Sequence, residues 1–551
     1  MTSEPDATAE PPGLLARYRA DLILAAVTAA VFARGLGHGL MSSWDDQRFI
    51  VDFEPIQSVS WEHFVAIWGG PHFEAYHPLH LLSYWIDVPL FGPSGPALHG
   101  VSLLLWVGAA LVWMRVLRAL ELGEWAALLG ALFFAIHPIQ IEVVHWATGR
   151  KDVLAALFAG LATLAHLRSE GWNDRASLLS LLAFAAAALS KTTVLPLPIV
   201  WALADGILER RDWRSAALRQ LPSLALAGGL GLIAVSIWQE AEMVREPLEG
   251  FGRVSLVAHS FGHHLGQAVF PFGLSPIYPI HRQAPQWGAW SGVLVLAFVG
   301  GACIRRGWRL PLLGLSTFVI LLVPASNVVP LYFEVQDRYL SLPLVGLALL
   351  LAAVTSQLQG RRIAGAALVV AAYGAATVVQ LGHWRSDAAL WRQATHAQPD
   401  AFYAWMKLGE VRRGDGDFDG ALRAYDRAIA LEPRLALGLA AHFQTQVLRD
   451  EREHSLEPSH AEAITQRFLA AQGDPVALRR LSGDMVQEGY RQSIFVPLGR
   501  ALDLAPIPEM RLAAAAQSQL EQGNTWLAAF YVERMSDPPQ ALLDQLSAAR
   551  R

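Results

Sequence analysis

From about Leu14 to Leu381 the chain is a succession of apolar stretches, many near or above the ~18 residues of a membrane-spanning helix, and after Leu381 they stop. Short basic segments recur between them: Arg17 with Arg19, Arg115 with Arg118, Arg168 to Arg175, Arg210 with Arg211 and Arg214, Arg305 with Arg306 and Arg309, and Arg361 with Arg362. Moving such charges across a bilayer is costly, so they belong on the cytoplasmic side. All of them fit there if about eleven spans alternate, near 15–36, 97–114, 123–137, 153–168, 176–190, 193–207, 220–238, 289–304, 310–330, 339–357 and 363–381. The odd count puts the C-terminus outside. Two further apolar segments, His77 to Phe91 and Val254 to Phe272, are broken by Pro, Gly or His and would reverse the order if they crossed; they are predicted to be juxtamembrane or re-entrant helices on the external face.

The predicted fold is all-α: a cytoplasmic tail over 1–14, a polytopic helical bundle over 15–381 with a large first external loop at 38–96, and a helical domain over 382–551. In that last segment Trp405, Leu408, Gly409, Gly416, Ala421, Tyr425, Ala428 and Pro433 follow the spacing of a tetratricopeptide repeat, departing from it mainly at Arg412, where an aromatic is usual. One repeat cannot bury its own face, so the helical periodicity of 437–449, 459–471, 475–489, 494–504, 508–521 and 525–535 is predicted to supply degenerate neighbours in an α-solenoid.

Composition agrees with the membrane reading: of 551 residues 53% are hydrophobic and only 17% charged, too few for the surface of several water-soluble domains. A net charge of −5 and the lack of a basic patch argue against nucleic acid as a partner. The single cysteine, Cys303, excludes an internal disulfide and any CxxC site. The polar, acidic stretch from Met1 to Glu10 lacks the basic n-region of a signal peptide, so the first apolar segment is expected to remain as a span.

The unusual polar residues gather in the external connections. Asp45 and Asp46 follow the first span; adjacent carboxylates near a membrane surface suit general-base work, although by spacing alone a helix cap is the simpler account. His137, Glu142, His145, Arg150, Lys151 and Asp152 form a second cluster, whose two cations beside carboxylates fit a phosphate-bearing lipid head group. Lys191 and Arg338 are external cations, against the positive-inside trend, and invite an anionic partner; Asp337 is also placed to pair with Arg338. The histidines His63, His72, His77 and His80 are dense enough for a divalent metal, but no pair has the HExxH arrangement and no metal ligand is assigned.

In their order, Trp44-Asp45-Asp46, His77-Pro78-Leu79, His137-Pro138 with Glu142, Gly149-Arg150-Lys151-Asp152, Leu189-Ser190-Lys191 and Asp337-Arg338-Tyr339-Leu340, followed by the repeat, resemble the transmembrane and TPR-containing O-mannosyltransferases and their bacterial relatives. The resemblance covers nearly the whole chain. It implies a GT-C fold and an inverting glycosyltransferase of the bacterial inner membrane, taking sugar from a polyprenyl phosphate to a protein or glycan acceptor on the periplasmic face. On this basis Asp45 is the expected base with Asp46 beside it. Glu142, Arg150, Lys151, Asp152, Lys191 and Arg338 are expected around the donor sugar and phosphate, and His77, His137 and His145 at the substrate site. The chain departs from the eukaryotic members in its single clear repeat, which leaves the acceptor open, and in Lys151, where a small residue is common, which leaves the sugar open. Two other classes are weighed: a non-catalytic scaffold presenting the repeats, and a lipid-linked glycan transporter. The scaffold has no use for so many charges on one face, and a transporter more often carries polar groups at the bilayer midplane and duplicated halves.

Overall fold

The computed structural model describes residues 18–550 apart from 172–173, 241–248, 280–289, 433–435, 455 and 458–459. The expected tail over 1–14 and Pro433 of the repeat lie outside the described residues. Among those residues the chain is helical throughout, with one isolated bridge between His72 and Ala75 in place of any strand. It divides into two compact units, Met1–Asp400 and Ala401–Arg551.

A helix lies in each of the eleven apolar stretches, and among the described residues three are long and apolar enough to cross a membrane: Gly95–Ala119, Leu221–Glu240 and Arg361–Arg385. A fourth candidate is broken, Glu124–Ile136 continuing into Pro138–Val144 after a bend of 48°. The break has a local cause, since Pro138 has no N–H to donate and His137 before it is extended, as a residue preceding proline prefers. Every residue from Ala126 to Ile136 is buried, so this helix is apolar on all sides because protein, not lipid, surrounds it. The helices Arg309–Leu322 and Leu344–Thr355 approach until their backbones nearly touch. A Cβ on Gly346 would lie 2.4 Å from the Phe318 nitrogen, and one on Gly314 would lie 2.7 Å from the Gly346 oxygen. Buried indoles satisfy their N–H groups on the backbone of neighbouring helices, Trp106 on Ala135 at 2.9 Å and Trp113 on Ala156 at 3.0 Å.

The basic segments are not simply solvated. Arg118 and Arg115 pair with Asp21 at 2.8 and 3.4 Å, and Arg219 and Arg211 reach the buried Asp205 at 3.0 and 3.8 Å.

The segment 38–96 is a folded layer rather than a connector. It contains a π-helical turn Gln47–Val51, a 3-10 turn Glu54–Ile56, the helix Trp61–Trp68 capped by Ser60, and the helix Pro78–Phe91. Phe49, Ile50, Ile56, Ile67, Leu81, Tyr84 and Val88 form its core together with Leu98 and Ala147, which fixes the layer on the rest of the unit. Residues 382–400, grouped in the sequence with the repeat domain, also pack in this first unit. The reason is polar: the helix Asp387–Ala397 presents Asp387, which accepts from the Ser43 amide and hydroxyl, and Trp391, whose indole donates to Ser43 Oγ at 2.6 Å.

The second unit is a row of helices from Phe402–Gly414 to Gln540–Ala549, most packed on their neighbours in sequence around two apolar clusters, a small one of Met406, Ala421, Tyr425 and Ala428 and a larger one from Ala440 to Leu546. The repeat signature has its packing cause at Gly409, where a Cβ would lie 2.4 Å from the buried Tyr425 ring. Arg412, at the aromatic position of the consensus, donates instead to the Gly420 carbonyl at 3.0 Å.

Candidate functional site

The bend at His137–Pro138 turns the chain into the short helix Ile141–Val144, the turn Ala147–Gly149 and then the helix Arg150–Arg168. Gly149 is required by the tightness of this return, since a Cβ there would lie 2.6 Å from the Glu142 carbonyl oxygen. Consecutive helical residues point about 100° apart, which separates Arg150 from Lys151 at the start of the helix.

Arg150 turns inward. It is fully buried, ion-pairs with Asp87, donates to Ser102 Oγ at 3.1 Å and to the carbonyls of Ser83 and Leu98 at 3.2 and 2.9 Å, and lies 4.5 Å from the Tyr84 ring centroid. Its fork is consumed in tying the first loop to two helices. Arg150, expected around the donor phosphate, is thus bonded in the interior and absent from the lining of the cavity that Lys151 faces.

Lys151 faces a cavity of about 350 Å³. One end is cationic and polar, lined by His77, Lys151, Lys191, Thr192, Thr193, Arg338 and Tyr339, and the remainder is an apolar wall that includes Leu195, Val235, Trp238, Val323 and Val329. Two of the cations are already matched. Lys191 pairs with Asp152, and Arg338 pairs with Glu142, which also accepts from the Arg338 amide at 3.1 Å. Asp152 and Glu142, expected to flank the donor, thus hold the cations that line the cavity and are absent from its lining. Lys151 has no ion pair among the described residues; its ammonium lies 5.3 Å from the Phe49 ring centroid and 5.2 Å from that of Trp146. Asp45 and Asp152 act on that ammonium electrostatically from beyond ion-pair distance.

The two aspartates separate as sharply as Arg150 and Lys151. Asp45 is half-buried, acts electrostatically on both Lys151 and Arg338, and makes no side-chain hydrogen bond among the described residues. Asp46 is fully buried and accepts from the amides of Met41 and Thr148, both at 2.9 Å, and from Thr148 Oγ1 at 2.6 Å. It is a tie between the first loop and the turn before Arg150, whereas it was expected beside the base. Burial pushes the Asp46 carboxyl up to about 6, against the three donors that favour its charge. The folded group therefore holds its proton more tightly than the unfolded one, and its stabilising contribution, full below the ordinary carboxylate range, is lost as pH rises through about 6. Relative to Asp46→Asn, the wild-type thermal unfolding midpoint is expected to fall as pH is raised from about 4 to about 7; a difference that stays constant over that window would count against this assignment.

Among the described histidines, only His77 lines the cavity, and burial with help from Lys151 and Lys191 pulls its imidazole down to about 3, so it is neutral there. His137 bonds to the Ala268 carbonyl at 3.1 Å and accepts from the Ile139 amide at 3.4 Å, a brace at the bend and not a substrate group. His145 shares a hydrogen bond of 2.8 Å with His38 and stacks on His99 at 4.3 Å, away from the cavity lining. Asp337 does not pair with Arg338; it accepts from the Ser275 amide at 3.0 Å and the Tyr278 hydroxyl at 2.7 Å. Among the described residues no group of three or more His, Cys, Asp or Glu could hold a metal ion. The sequence reading passed over Trp146, Thr192, Thr193 and Trp238; only Trp146, an indole between Glu142 and Arg150, had a local signal.

The first unit is thus a helical domain, with helices long and apolar enough to cross a membrane, that holds a cavity cationic at one end and apolar along the rest. No family model matches the chain. In sequence it is similar to protein O-mannosyl-transferase TMTC4 of Homo sapiens, 25% identical over 500 residues that cover 75% of this chain and 66% of that protein. It is likewise similar to protein O-mannosyl-transferase F38B6.6 of Caenorhabditis elegans, 25% identical over 381 residues that cover 65% of this chain and 54% of that protein. These matches agree with the resemblance read from the motifs, and the chain spans just over half to just under two thirds of those relatives' length. Among solved structures it is similar to ArnT from Cupriavidus metallidurans in the apo state, at 14% identity and a TM-score of 0.37, covering 97% of this chain and 88% of that one. The undecaprenyl phosphate-bound form of the same protein gives 13% identity and a TM-score of 0.38 over the same shares.

Proposed function

We propose that this chain is a membrane glycosyltransferase of the GT-C type, moving a sugar from a polyprenyl-phosphate carrier to an acceptor hydroxyl. The observation that carries the reading is the cavity whose cationic end is continuous with an apolar wall. A lipid phosphate needs both at once: an apolar trough for its prenyl units and fixed cations for its anionic head. The relatives' name, O-mannosyl-transferase, supports the same class of reaction.

In this reading about eleven helices span the inner membrane. The first loop and the cavity's cationic end face the periplasm, and the unit from Ala401 is a periplasmic solenoid of degenerate repeats that meets a protein acceptor or partner. The acceptor hydroxyl attacks the anomeric carbon in line with the bond to the phosphate oxygen. Asp45 takes the hydroxyl proton, the carbon–oxygen bond to phosphate breaks, and the polyprenyl phosphate leaves with its added charge met by Lys151, beside the matched pairs of Lys191 and Arg338. The displacement inverts the anomeric centre.

The test is transfer of radiolabelled sugar from a panel of polyprenyl-phosphate donors in membranes carrying the protein. Because Lys151 supplies the unmatched charge, Lys151→Ala is expected to raise the donor KM about ten- to a hundredfold. Absence of transfer from every donor in the panel would refute the reading.

A further inference from the structure

Trp146 carries no ionisable group, yet it lies at the centre of those that do. Its side chain is fully buried, and the centroid of its ring is 5.2 Å from Lys151 Nζ and 5.1 Å from Arg338 Cζ, two of the cations that line the cavity. The Trp44 ring, next to Asp45, lies 6.0 Å away. A large buried indole is ordinarily packing, and packing alone does not require two cations within reach of one ring. Arg338 has a second restraint in Glu142, whereas the close contacts of Lys151 are rings, those of Phe49 and Trp146. With no ion pair, that ammonium takes its direction from the two rings, while the charges of Asp45 and Asp152 favour its protonated form from farther away.

We infer that Trp146 is a positioning residue, whose ring holds Lys151 and Arg338 in one arrangement to receive an anionic phosphate. The ligand in this inference rests on the donor reading above, while the hold on Lys151 does not. The indole neither touches the phosphate nor takes part in bond making; it fixes the distance between the charges that do.

Packing and cation–π attraction can be separated by site-specific replacement of Trp146 with tetrafluorotryptophan, which keeps the shape of the ring and removes its negative face. Trp146→Phe and Trp146→Leu extend the series. Two readouts are taken on the purified full chain in nanodiscs: equilibrium binding of undecaprenyl phosphate, and the pH midpoint for labelling of Lys151 by an amine-reactive ester, read by mass spectrometry. Fluorination is expected to weaken binding about tenfold and move the labelling midpoint to lower pH, with the thermal unfolding midpoint unchanged. Trp146→Phe should fall between wild type and Trp146→Leu. If the unmodified protein binds undecaprenyl phosphate and fluorination leaves binding and labelling untouched, the positioning role is overturned and the donor reading stands. If the labelling midpoint moves but the unmodified protein does not bind the lipid, the donor reading fails and the ring's hold on Lys151 stands.

Discussion

Asp45→Asn is expected to lower kcat for sugar transfer by about 10²- to 10⁴-fold, the range attributed to general-base catalysis, with donor KM within about twofold of wild type. The expectation follows from the contrast between two neighbouring carboxylates. Asp46 has three donors directed at it and is fully enclosed, so its lone pairs are committed to holding Met41 and Thr148. Asp45 is half-buried, borders the cationic end through its action on Lys151 and Arg338, and has lone pairs free to accept a hydroxyl proton. An amide at position 45 keeps the shape and loses the basicity together with a charge that offsets those cations, so the loss is expected in kcat and not in donor binding. The measurement is steady-state transfer with donor and acceptor varied separately, at matched protein level. Equal kcat in the two proteins would remove Asp45 as the base; a fall confined to KM would recast it as a binding group.

Much of the architecture was legible in the chain because membrane burial writes long apolar runs, and helices occupy the stretches those runs marked. The bend at His137–Pro138 was not anticipated, although proline chemistry accounts for it, and the repeat spacing from Trp405 to Ala428 meets a local packing cause at Gly409 and Tyr425. The roles of the site residues were not legible. Glu142 and Arg338 are separated by 196 positions and Asp152 and Lys191 by 39, so no local pattern shows that each carboxylate is spent on its own cation. Likewise Arg150 and Lys151, or Asp45 and Asp46, look equivalent in sequence. Which member of each pair is committed to the interior depends on one turn of backbone, set by the close return at Gly149 and by the loop core around Phe49 and Tyr84. Residues 382–400 were misgrouped for a related reason: their amphipathic helix looks like the repeats that follow, and only its bonds to Ser43 reveal where it packs.

Arg150→Ala is expected to cost about 3–5 kcal/mol of stability, because it leaves Asp87 as a buried charge without its partner and the Ser83 and Leu98 carbonyls without this donor. Arg150→Lys should recover little of this, since an ammonium cannot reproduce a planar fork that serves Asp87, Ser102 and two carbonyls at once. The double variant Arg150→Met with Asp87→Leu removes both charges, and it is expected to be more stable than Arg150→Ala although it lacks the ion pair. Thermal unfolding of the purified protein in one detergent compares the four. The same series separates this account from the one the motif invites, in which Arg150 is a contact of the donor phosphate. A phosphate ligand, once removed, would leave unfolding unchanged and raise the donor KM, as expected for Lys151→Ala. If Arg150→Ala behaves in that way, the assignment of Arg150 to the interior is refuted. If instead Arg150→Ala unfolds early while Lys151→Ala does not, the two adjacent cations divide as their geometry indicates, one holding the loop and the other the ligand.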